Sequence, residues 1–115
     1  MKLTEVAFFT DHVQQMTDFY RRLLGIEPAA CSDTMAVFIV EDTKIFIHYN
    51  YPLQTGELRA ENHHAFLVED VDQMCERLTE LGLTVEVSPR DFYWGRSAYL
   101  RDPDGHQIEI TQKET

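Results

Sequence analysis

The feature that most constrains this chain is an internal echo. Displaced by 58 positions, the segment beginning at Glu5 falls on the segment beginning at His63. Ala7 then meets Ala65, Phe8 meets Phe66, Val13 meets Val71, Gln15 meets Gln73, Met16 meets Met74, and Leu23 meets Leu81. Helical amphipathicity alone would align some apolar positions, but not the glutamines. Self-similarity at one spacing points to two copies of one supersecondary unit. The 115 residues suffice for a single domain with a real core but not for two separate domains.

Each copy reads the same way. An apolar strand, about Leu3–Phe9 and again about His63–Val68, enters an acidic turn and then a helix. Val13, Met16, Tyr20, Leu23 and Leu24 recur at helical spacing in the first helix; Val71, Met74, Cys75, Leu78 and Leu81 do so in the second. Asp11 and Asp70 are candidate helix caps, and Gly25 and Gly82 stand where helices end. Three strand-length runs follow each helix. They cover about Ala29–Ser32, Ala36–Val40 and Lys44–Tyr49, then about Thr84–Val87, Ser97–Arg101 and His106–Thr111. Pro52–Asn62, with its Pro, Gly and polar residues, reads as a linker. The expected architecture is α+β. Two βαβββ modules, about 1–51 and 63–115, form a cupped mixed β-sheet with the helices on its outer face.

Composition narrows the function. A net charge of −10 opposes binding to nucleic acid or to an anionic membrane surface, since both require a cationic face. No apolar stretch of membrane-spanning length and no export leader is evident, and Cys31 and Cys75 lack a CxxC spacing. A cytoplasmic location is expected.

Strand alternation picks out a candidate site. If Ile108 and Ile110 pack on the helices, Glu109 points to the opposite face. The same parity puts His63 beside Ala65 on that face, and the repeat puts Glu5 beside Ala7. Aligning the fourth strand with the last makes Phe46 the counterpart of Glu109. Three of these four inward positions, Glu5, His63 and Glu109, can bind a metal. Singly, each is more often a solvated or structural residue; their coincidence at repeat-related sites is what raises the metal reading. One imidazole and two carboxylates suit Mn, Fe(II), Ni or Zn. Two carboxylates in one cup should repel, so at least one of Glu5 and Glu109 is expected to titrate above the ordinary glutamate value. His48 shares the face of Phe46, and Phe9, Trp94 and Tyr99 could wall a ligand cup, although aromatic residues at such spacings commonly belong to the core. Arg96 could meet a substrate oxyanion or make a surface salt bridge. Asp102 and Asp104 lack the remaining ligands of a calcium loop and read as a tight turn.

Three segments resemble a known superfamily: DFYRRLLGI, HHAFLVEDVDQMCERL and GRSAYLRDPDGHQIEI. They are similar to those of the vicinal oxygen chelate proteins, which include glyoxalase I, bleomycin-resistance proteins, fosfomycin-resistance transferases and extradiol dioxygenases. The resemblance implies paired βαβββ modules, with metal ligands on the first, fourth, fifth and eighth strands. Those strands hold Glu5, Phe46, His63 and Glu109 here. Glu5 stands where His or Gln is usual and Phe46 cannot coordinate, which implies three ligands, with Glu109 also the catalytic candidate. The expected function is a metal-dependent enzyme of lyase, transferase or dioxygenase type acting on a small oxygenated substrate, with Phe46, His48, Trp94, Arg96 and Tyr99 as substrate contacts. The alternative is a metal-free protein that binds a drug or toxin, as in bleomycin resistance. The resemblance further implies a homodimer.

Overall fold

A computed structural model describes residues 1–51 and 61–112. Most of the expected linker, 52–60, lies outside the described residues. Among the described residues, eight strands and two helices appear in the order β1 (Lys2–Thr10), α1 (Val13–Leu24), β2 (Ala30–Cys31), β3 (Met35–Val40), β4 (Thr43–Tyr49), β5 (His63–Leu67), α2 (Val71–Glu80), β6 (Val85–Phe92), β7 (Gly95–Arg101) and β8 (Gln107–Gln112). The class is α+β. The chain divides into two compact units, one of residues Glu5–Asn62 and the other of Met1–Thr4 with His63–Thr115.

In the Glu5–Asn62 unit the strands run β2-β3-β4-β1. β1 lies parallel to β4, while β3 is antiparallel to both β4 and β2. Val13 from α1 joins Ala36, Phe38 and Ile47 in the core, with Met16, Tyr20, Leu24 and Ile45 packed against them. Phe8 stacks on Tyr20 at 5.9 Å between ring centroids, which sets the helix-facing side of β1. Leu23 is exposed, so the buried stripe of α1 is narrower than its spacing predicts, and Thr17 is buried in its place. Asp11 does not cap α1. Its carboxylate accepts from Asn50 Nδ2 at 3.0 Å, and His12 occupies the cap position without a side-chain bond. Gly25 closes the helix in the left-handed region, at φ 68°, with its N–H on the carbonyl of Arg21.

The other unit repeats the plan, its strands running β5-β8-β7-β6. β5 is parallel to β8, and β7 is antiparallel to β8 and β6. Val68, Val71, Cys75, Ala98, Leu100 and Ile110 form its core, with Phe66, Met74, Leu78, Val85 and Ile108 against them. Asp70 caps α2 as expected, accepting from Gln73 N at 3.0 Å. Val71 N donates to Gln112 Oε1 at 2.7 Å, which ties the start of α2 to the end of β8. Leu81 is exposed, like its counterpart Leu23.

β6 departs most from expectation. The sequence predicts a short strand ending before Pro89; the strand runs on to Phe92. It can do so because β6 ends the strand order and its pairing with β7 shifts register between Val85 and Val87 and between Val87 and Arg90. A proline costs little at an edge or bulge, where its missing N–H interrupts no ladder.

Candidate metal centre

The helix-facing core selects which residues of β5, β7 and β8 face the other way. Ile108 and Ile110 pack toward α2, so Glu109 between them must turn to the opposite face. Phe66 packs on the same core, which turns Ala65 and His63 away from it. β5 and β8 are in register with Ala65 beside Glu109 and His63 beside Gln107. The imidazole and the carboxylate therefore lie diagonally, and His63 Nε2 comes within 3.5 Å of Glu109 Oε1. Both are sheltered, with side-chain exposures of 12% and 6%.

Glu109 would be costly to ionise in this setting without partners. It has three. Ser97 Oγ donates to Oε2 at 2.8 Å, and Trp94 Nε1 donates to the same oxygen at 3.1 Å. His63 faces Oε1. Burial pushes the carboxyl up, but His63, Ser97 and Trp94 together outweigh it and hold Glu109 below the usual glutamate range. For Glu109 the repulsion argument from sequence is thus reversed: neighbouring donors, not a second carboxylate, dominate its surroundings.

Trp94 reaches the carboxylate from the two-residue turn between β6 and β7. Its ring stacks on Phe92 at 4.5 Å, and Tyr93, 94% exposed, points away. Tyr99 pairs with Glu109 across β7 and β8 and is buried on the same side, its ring edge-on to Phe92. Ser97 was not singled out in the sequence, although its parity with Tyr99 puts it on Glu109's side of β7. Gln107, buried beside His63 in register, shares Glu109's face of β8 and was not singled out as a site residue either.

Arg96 is not part of this group. It alternates with Ser97 on β7 and reaches α2, where Nε and Nη2 grip Asp72 at 2.7 and 2.9 Å while Nη1 meets Asp91 at 3.1 Å. Of the two sequence readings the salt bridge is the observed one. The bidentate bond holds Asp72 below its ordinary value and Arg96 above its own. Asp102 makes the expected tight turn, accepting from the N–H groups of Asp104 and His106.

Glu5, Phe46 and His48 belong to the Glu5–Asn62 unit. Glu5 is half-buried on β1, in register with Lys44, and directly follows Thr4, the last N-terminal residue of the unit that carries His63. Phe46 and His48 project from β4 opposite Ile45 and Ile47. With Phe9 they form an aromatic group, with ring centroids 5.5 to 6.4 Å apart.

The donor chemistry fits a divalent cation. With metal–ligand bonds of about 2.1 Å, two ligands on one ion sit roughly 3.0–3.4 Å apart at angles between square and tetrahedral. The spacing of 3.5 Å between Nε2 and Oε1 needs only a slight contraction. A neutral imidazole and an ionised carboxylate are both ligand forms, and the environment of Glu109 favours the ionised one.

Residues 2–110 match the family model of the Glyoxalase/Bleomycin resistance protein/Dioxygenase superfamily. The anthracycline biosynthesis protein DnrV of Streptomyces peucetius is 33% identical over 110 residues, which are 93% of this chain but 40% of that protein. The lactoylglutathione lyase of Escherichia coli O157:H7 is 26% identical over 127 residues, covering 99% of this chain and 94% of the lyase. Among solved structures, the hypothetical protein BH1468 from Bacillus halodurans C-125 superposes with a TM-score of 0.75 at 18% identity, covering 99% of this chain and 95% of that one.

Proposed function

Because this chain belongs to the Glyoxalase/Bleomycin resistance protein/Dioxygenase superfamily, we propose that it binds one divalent metal through Glu5, His63 and Glu109 and acts on a small oxygenated substrate. The observation that carries this reading is the sheltered pair of His63 Nε2 and Glu109 Oε1. A metal held there supplies Lewis-acid polarisation of substrate oxygens, the chemistry shared by lyase and dioxygenase types. Glu109 is the catalytic candidate, since a carboxylate kept ionised beside an imidazole can accept a proton as well as hold a cation. Phe46, His48, Trp94, Arg96 and Tyr99 are the proposed substrate contacts. Mn, Fe, Ni and Zn all suit one nitrogen and two oxygen donors.

A homodimer in the cytoplasm completes the proposal. Phe19, Leu23 and Ile26 are exposed along and just past α1, an apolar strip that a second copy would cover. No described helix is long and apolar enough to cross a membrane.

The second reading, metal-free capture of a hydrophobic or cationic compound, is favoured by the group of Phe9, Phe46 and His48. Metal content separates the two. Elemental analysis of protein purified without chelator should find a divalent metal, and Glu109→Gln should lower calorimetric affinity for Mn and Ni by about tenfold or more. Equal affinities in the two proteins, or binding by neither, would sink the metal reading and leave the capture protein.

A further inference from the structure

The two oxygens of Glu109 keep different company. Oε2 accepts the Ser97 hydroxyl at 2.8 Å and the Trp94 indole N–H at 3.1 Å. Oε1 is the oxygen beside His63 Nε2. Ser97 is itself fully buried, and its hydroxyl also lies 3.2 Å from Trp94 Nε1 and 2.9 Å from Thr111 Oγ1. Rotation of the carboxylate would therefore break both of these bonds at once. A carboxylate oxygen has two lone-pair directions. With two donors facing it, Oε2 is the less available oxygen for a cation.

We propose that Ser97 and Trp94 are positioning residues that pin Oε2 of Glu109, so that Glu109 offers a cation Oε1 alone. The inference rests on the metal reading above and deepens it. A carboxylate that cannot chelate through both oxygens takes one coordination position instead of two, and the position spared is available to substrate. The outer hydrogen bonds of a metal-ligating carboxylate orient it and tune its affinity, typically by about 10–100-fold.

The test uses Co2+ as a spectroscopic probe with the intact chain, comparing wild type, Ser97→Ala, Trp94→Phe and the double variant. Visible Co2+ absorption weakens as coordination number rises, so it reports a second carboxylate oxygen directly. Each single variant should lose about tenfold in Co2+ affinity, and at saturating Co2+ the double variant should show weaker bands as Oε2 enters the coordination sphere. A purely structural role would move melting temperature without moving the saturated spectrum. If the saturated spectra of wild type and double variant superimpose, the positioning role is overturned while the metal reading stands. If wild type itself shows no Co2+ bands, both fall together. Should Ser97→Ala fail to fold, Trp94→Phe decides alone, since Trp94 is partly exposed and its replacement leaves the core intact.

Discussion

At the scale of single residues, Glu109 concentrates the chemistry. A carboxyl whose folded value lies below its unfolded one stabilises the fold above the unfolded glutamate value of about 4.3, and that contribution is lost as pH falls through the folded value. Urea denaturation of chelator-treated protein between pH 7 and 3 should show it. Wild type is expected to lose stability relative to Glu109→Gln as pH drops below about 4.3, whereas parallel curves would mean that the three donors do not favour the charged form. His63 and Glu109 were legible in the sequence because strand alternation needs only one fixed point, and the paired isoleucines supply it. The hydrogen bonds to Glu109 were not. Ser97 looks like any small strand residue, and Trp94 sits in a turn, where alternation says nothing about direction. Arg96 was legible only as a cation; its commitment to Asp72 depends on how closely α2 approaches β7.

At the scale of elements, both βαβββ orders could be read from hydrophobic period and turn residues, and the errors have local causes. The limits of β6 were misjudged because Pro89 signals an end only where a ladder bond is needed on its side. Asp11 was misjudged because Asn50, far along the chain, claims its carboxylate. One turn carries strain that sequence alone does not reveal. Glu41, in the two-residue connection between β3 and β4, has φ 55°, a region that costs a side-chain-bearing residue about 1–2 kcal/mol. Glycine is the ordinary choice for such a hairpin position. Glu41→Gly should raise the melting temperature by a few degrees, up to about 1 kcal/mol of added stability after the entropy of a more flexible unfolded chain is subtracted. Glu41→Ala is the control. A gain from alanine equal to that from glycine would place the effect in removal of charge rather than in backbone relief.

At the scale of the whole molecule, charge and apolar surface pull in opposite directions. Each copy carries −10, so two copies repel, while Phe19, Leu23 and Ile26 favour association. The proposed dimer should therefore strengthen with salt, which screens the repulsion and leaves apolar burial intact. Light scattering at micromolar concentration should give about twice 13.4 kDa, and Leu23→Asp, at a position 64% exposed, should return the monomer without unfolding it. Wild type that stays monomeric at high concentration and high salt would refute the dimer. The partition of the chain has another consequence, for its birth rather than its use. Met1–Thr4 emerge from the ribosome well before the residues from His63 onward with which they form one unit. Until then the two parts of that unit are separated along the chain, and bringing them together carries an entropy cost that grows only slowly with their separation. The segment that carries Glu5 can thus begin to assemble during synthesis, whereas the unit that holds His63 and Glu109 must wait for β8, so the two residues come together only after that earlier segment has been made.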